Sequence, residues 1–512
     1  MNGSIKQRLE RGKRRIERRL ARRRKRKAKK TGFSKPVMNT QRVKYELSGR
    51  SRGVVYGGVP LLHRLAEQVG LVQAINRNVP LLKFWLPYSE ADHVLNLAFN
   101  ALCEGTCLED IELRRNDEAF LDALGAETIP DPTTAGDFCR RFTPESVRRL
   151  LDAIDEARLN VWGRQDAAFF EEAVLDADGT LVVTTGECQE GMDISYKGTW
   201  GYHPLVVSLA NTGEVLSIVN RSGNRPSEEG AAAELDRAVA LCRRGGFRRV
   251  RLRGDTAFSQ TEHLDRWDEA GVLFQFGYDA RPNLEGIARN LPQSAWTPLR
   301  RPPRYEVQTE PRRRPQNVKR QVIREREFLH LELKSEQVAE FDYRPTACRQ
   351  TYRMIVVRKN ISQERGEAVL FDKVRYFFYI TNDRERSAAE IVFGCHARCD
   401  QENLVAQLAG GVRALAAPVD HLVSNWAYMV MTSLAWTLKA WAGLCLPVAP
   451  RWREKHEGER RRVLRMEFKT FVNAFVKLPV QVVEQARRTV LRVLSWNEHL
   501  PLFFRLCSVL RC

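Results

Sequence analysis

Over residues 173–278 the apolar residues change period, and that change constrains the fold more than any other feature of this 512-residue chain. Upstream they recur at helical spacing. At 173–178 they close into a short buried run, Ala-Val-Leu-Asp-Ala-Asp, of the length and composition of a strand. Further strands are expected at 203–210 and 214–221, with the turn residues Asn211-Thr212-Gly213 between them. A helix at 228–242 follows, then a strand at 249–253 that runs into Gly254-Asp255, a helix, and a strand at 272–278. The order strand, strand, strand, helix, strand, helix, strand predicts an α/β layer.

The flanks read differently. From Val59 to about Asn160 the spacing is helical: Leu61, Leu62, Leu65, Val69, Leu71, Val72 and Ile75 give one amphipathic pair, 92–103 another, and Pro144-Glu145 opens a third helix at 146–161. After 280 the sequence is expected to leave the α/β layer. Residues 300–326 mix ten Arg or Lys with Pro302, Pro303, Pro311 and Pro315, and strands are expected at 328–333, 352–359 and 374–381. From Ser387 the chain reads as helical to its end, with a basic terminal helix around Arg487, Arg488 and Arg492. The apolar run 426–446 is long enough to span a bilayer, but Lys439, Ser433 and two Thr within it favour a helix buried in protein. The resulting division is a basic arm and linker (1–58), a helical N-terminal domain that could bind DNA (59–165), a core in two parts (166–280 and 391–450) separated by a β-rich insertion (281–390), and basic C-terminal helices (451–512).

The net charge is +20, and its placement matters more than its size. Residues 1–30 hold sixteen Lys or Arg against Glu10 and Glu17, which is +14, and leave +6 for the rest. Such an arm is expected to be a solvated, partly helical tail that gains affinity for phosphates by counterion release. It has no apolar run behind its charges, as a secretory signal would, so the cell interior is expected. Eleven cysteines without a Cys-x2-Cys pair do not suggest a disulfide framework. Cys395-His396-Cys399 resembles half a zinc site with no second half at the usual spacing, so ordinary packing is expected there.

Two aspartates end strands of the α/β layer: Asp178 the first and Asp255 the fourth. In a ribonuclease H-like sheet those strands lie side by side and their carboxylates converge at one edge. Glu402 begins a helical stretch further on, with Arg398 one turn before it, able to reach a phosphate. Three carboxylates on separate rigid elements suit two hard cations about 4 Å apart, which cut and join phosphodiesters. Each residue has an ordinary reading too: a strand-end Asp caps turns, and an acid in a helix's first turn answers the dipole. Asp176, two residues before Asp178, could support the site or be the ligand itself. Trp200 and Trp296 could stack on a displaced base, but core packing is expected for both.

The segments LDADGT, TGECQEG, YHPLVV, RLRGDTAFS, RCDQENLVAQLAGG and FVKLPVQVVEQARRTVLRVLSWN resemble those of bacterial insertion-sequence transposases of group 1380, within the DDE class. The last motif of that class reads Tyr-x2-Arg-x3-Glu-x6-Lys. Arg398 and Glu402 fit it, while Cys395 and Ala409 stand at its Tyr and Lys positions. The resemblance implies a ribonuclease H-like core with Asp178, Asp255 and Glu402 as catalytic metal ligands, with Asp178 at the family's Asp-x-Thr position. It also implies two Mg²⁺ or Mn²⁺ ions, transposon inverted repeats and target DNA as double-stranded partners, a homodimer on paired ends, and cut-and-paste transposition in a bacterial cytoplasm, at the nucleoid. Two other readings compete. Asp176-Ala177-Asp178-Gly179-Thr180 resembles the nucleophile motif of haloacid-dehalogenase-like phosphatases, with Asp176 attacking phosphorus, yet more than 170 residues precede it, and Ser259 and Gln260 stand where a second Asp is needed. A decayed relic that binds DNA without cutting it would explain Cys395 and Ala409, but not the intact carboxylates.

Overall fold

The computed structural model describes residues 3–28, 43–45, 51–85, 87–186, 189–300, 318–326, 331–485 and 488–511. Most of the basic, Pro-broken stretch at 300–326 lies outside the described residues, as do Arg487 and Phe328. The strands are β1 (Arg52–Val54), β2 (Glu172–Gly179), β3 (Val182–Val183), β4 (Asp193–Ile194), β5 (Trp200–Tyr202), β6 (Leu205–Leu209), β7 (Glu214–Val219), β8 (Arg249–Gly254), β9 (Leu273–Tyr278), β10 (Thr297–Pro298), β11 (Leu331–Tyr343), β12 (Tyr352–Glu364), β13 (Glu367–Thr381), β14 (Val480–Gln485) and β15 (Arg488–Val493).

Nine of them form one mixed sheet in the order β10-β11-β12-β13-β9-β8-β2-β6-β7. β2 and β8 run parallel, as do β8 and β9, while β6 and β7 are antiparallel to their neighbours. Strand β2 is therefore interior, which explains why Leu175, Asp176 and Ala177 are buried in succession instead of alternating with exposed residues. The Ala231–Gly245 helix packs against β2, β6, β7 and β8, and the Cys399–Ala406 helix against β2.

The strands after 280 do not leave this sheet, as the sequence suggests, but extend it. β13 pairs antiparallel with β9, setting Phe378 opposite Tyr278, and β12 and β11 follow. An unpaired β9 edge would expose a row of backbone donors and acceptors, and the long β12–β13 hairpin covers it.

The helical N-terminal region folds onto the sheet through the Leu422–Leu444 helix, buried on every side from Ser424 to Leu444. It packs against β7 and against the Glu90–Leu102 and Pro144–Trp162 helices. Its polar groups find partners in protein: Asn425 exchanges hydrogen bonds with the Val419 backbone, and Lys439 donates to the Leu464 carbonyl at 2.8 Å. Among the described residues no helix is long and apolar enough to cross a membrane. One hydrophobic core runs from Val54 to Leu510 through all these layers.

Two expectations fail near the termini. The stretch around Arg488 and Arg492 is the β14–β15 hairpin instead of a helix. Val480 and Val482 are buried with Gln481 between them, a period of two in a β-branched run that basic composition had masked. The end of the expected linker is also structured, because β1 pairs with β14 to complete a three-stranded sheet. The basic arm, expected to be partly helical, is a helix over Gly3–Ala28.

Candidate active site

The register of the parallel pair positions the first two carboxylates. Asp176 of β2 is level with Arg253 of β8, the last pair of the register, and Asp178 and Asp255 each lie two residues beyond it, near enough for the charge of Asp255 to act on Asp178. Asp255 follows the end of β8, where its Oδ1 accepts from the Ala257 amide at 3.0 Å, so it caps a turn as well. The third element is the Cys399–Ala406 helix, which carries Glu402. It is fastened to the sheet by Gln401, which donates to the Val206 carbonyl at 3.1 Å and accepts from the buried Ser208 hydroxyl.

Arg398 joins the two elements. Its Nη1 is 3.5 Å from Asp178 Oδ2 and its Nη2 3.2 Å from Glu402 Oε1. Burial foremost, and then the charges of Asp255 and Glu402, push the Asp178 carboxyl up to about 6 against the opposing pull of Arg398. The site holds three carboxylates and one cation that spans two of them. That excess of hard oxygen donors fits a divalent cation such as Mg²⁺. Among the described residues no three His, Cys, Asp or Glu side chains are gathered tightly enough to enclose an ion. The guanidinium of Arg398 holds positive charge between Asp178 and Glu402.

Asp176 has a different setting. It is 1% exposed, and both oxygens accept from Arg253, Nε and Nη2 each at 2.7 Å. Arg253 Nη1 also donates to the Gly394 carbonyl at 3.0 Å, tying β2 and β8 to the Ala388–His396 helix that precedes Arg398. A carboxylate so occupied is not free to attack phosphorus, and the phosphatase reading is not favoured. The alternation of Arg251 and Arg253 on a buried strand is the sequence signal for this pair, since charges there need partners. Arg251 finds Glu172 at 2.9 Å and Asp383 at 2.7 Å.

The remaining sequence candidates separate. Cys395 is buried in a small apolar cluster, His396 Nε2 is 3.0 Å from the Tyr379 hydroxyl, and Cys399 is exposed. Trp296 is buried with the Arg358 guanidinium 4.1 Å from its ring centroid, as core packing requires. Trp200 departs from expectation: it is 52% exposed, at the first position of β5 in the small β3-β5-β4 sheet.

Comparison with known proteins adds a family. Residues 35–511 match the family described as "Transposase DDE domain group 1". No curated protein matches the chain. Among solved structures, a cryo-EM structure of a piggyBac transposase synaptic complex with hairpin DNA aligns over 83% of this chain and 84% of that one, with 11% identity and a TM-score of 0.36, too distant to carry an argument.

Proposed function

The chain belongs to the DDE transposase family, and from that premise we propose that it binds transposon ends as double-stranded DNA and cuts and rejoins them with two divalent cations held by Asp178, Asp255 and Glu402. The observation that carries this reading is the meeting of Asp178, Asp255 and Glu402 beyond the ends of the paired strands, with Arg398 linking Asp178 to Glu402. The order β7-β6-β2-β8-β9, antiparallel and then parallel, supports a ribonuclease H-like core. In this reading the chain is of insertion-sequence group 1380, the helical region 59–165 contributes to end binding, and two copies act on paired ends.

Divalent cations, when bound, stabilise the charge that builds on the attacking and departing oxygens. The chain's own residues do the rest. Asp178 must be ionised to hold a cation, so its raised pKa ties cation uptake to pH. Arg398 keeps Asp178 and Glu402 from repelling each other, and a guanidinium at that place can turn to a phosphate. Asp176 and Arg253 fix the sheet edge beneath.

The test is cleavage of labelled duplexes carrying the inverted repeats that flank the gene. Nicking at the repeat boundary in Mg²⁺, abolished by chelation, is expected. Cleavage that persists in chelator, or none in any divalent metal, would contradict the proposal.

A further inference from the structure

The basic arm is a helix with two faces. At 100° per residue Arg11, Arg14, Arg15, Arg18, Arg19 and Arg22 fall on one side, and Leu9, Ile16 and Leu20 on the other. The structure turns the first part of the second side inward: Leu9, Gly12, Lys13 and Ile16 are half-buried, Leu9 packs against the core, and the Lys13 ammonium stands 5.8 Å from the Trp496 ring centroid, while Leu20 further along is exposed. All six arginines are exposed and line one shallow groove. Among the described residues none of them is ion-paired with a carboxylate.

We infer that this helix is a docked rail for the phosphates of duplex DNA, and that its contribution depends on helical form and seating as well as on charge. The inference rests on the reading of the chain as a DNA-binding transposase. From Arg11 to Arg22 the rail spans about 16 Å, and B-DNA carries one charge per about 1.7 Å of its axis, so all six guanidinium groups can find phosphates at once. A lipid surface fits less well, because an amphipathic helix binds membranes through its apolar side, and here Leu9 and Ile16 of that side are turned towards protein. Arginine also matches phosphate oxygens two at a time, which lysine cannot do.

The experiment measures binding of the full chain to a labelled random-sequence duplex by fluorescence anisotropy, over a salt series. Three variants are compared: Arg14, Arg15, Arg18 and Arg19 changed together to Gln; Ile16→Pro, which keeps every charge and breaks the helix; and Ile16→Ala, which keeps both. The quadruple change should weaken binding at least tenfold and flatten the slope of log K against log salt by about 3 to 4. Ile16→Pro should lose a comparable share of affinity, and Ile16→Ala should lose little. If Ile16→Pro binds as tightly as the unaltered chain, the arm is a loose bag of charge and the rail is refuted. Retention on phosphatidylserine vesicles that matches duplex binding, and is lost with the same arginines, would overturn it in favour of a membrane. A chain that binds no duplex in any form would overturn the functional reading and the rail with it, whereas binding that ignores all three variants overturns the rail alone.

Discussion

Two carboxylates on this sheet, one fully buried and one half-buried, are treated in opposite ways. Glu214, at the start of β7, is fully buried and surrounded by donors: Trp162 Nε1 at 3.0 Å, Trp441 Nε1 at 2.8 Å, Thr212 Oγ1 at 2.7 Å and Arg158 Nε at 3.3 Å. Those donors come from the N-terminal helices, the β6–β7 turn and the central helix, so the charge pins three layers together. Asp178 has two more carboxylates for neighbours and a share of one arginine. A fold that satisfies one carboxylate so fully and leaves another beside two like charges marks the second as a candidate for chemistry.

The largest effect is expected at the proposed catalytic carboxylates. Changing Asp178 or Asp255 to Asn, or Glu402 to Gln, should lower strand cleavage by at least about 10³-fold, since a metal ligand contributes several kcal/mol to the transition state. Gel-shift binding to the repeat should survive. Cleavage within tenfold of the unaltered chain in all three would place the carboxylates in turns and caps only.

At the structural end the sign reverses. Glu214→Leu leaves Arg158 buried without that partner and should cost about 3–5 kcal/mol in a denaturant melt, while the rate per folded molecule holds. A drop in rate without loss of stability would make Glu214 part of the chemistry.

A smaller effect sharpens the contrast. The Asp178 carboxyl sits at about 6 in the folded chain and near its ordinary 3.8 when unfolded, so the folded state binds the proton more tightly. Its stabilising share is present below about pH 4 and is lost as pH rises through 6. Asp178→Asn should therefore be more stable than the unaltered chain at pH 7.5, by up to about 3 kcal/mol, with the gap closing towards pH 4. A variant that is less stable at pH 7.5 would show a well-satisfied carboxylate.

Much of this was legible in the residues because it depends on local pattern. The strand run 173–178 and the Gly254-Asp255 stop mark β2 and β8 to within a residue or two, and the apolar density of 426–446 marks the central helix. What escaped depends on long-range pairing. β1 exists only because β14 lies beside it, and the pairing of β13 with β9 joins residues about a hundred apart. The hairpin β14–β15 was hidden by its arginines, which point outward on an edge strand and say nothing about period. Asp176 and Asp178 could not be distinguished by spacing, since both lie on one strand face. Their difference is Arg253, which approaches from the next strand and occupies the first of them.

Asp178, and not Asp176, is the aspartate proposed to face the metal, and exchange of each for cysteine distinguishes them. A thiolate accepts Mn²⁺ better than Mg²⁺. Asp178→Cys should be inactive in Mg²⁺ and partly revived by Mn²⁺, while Asp176→Cys, with Arg253 left unpaired, should show the same residual cleavage in both metals. Revival at position 176 and none at 178 would contradict the account.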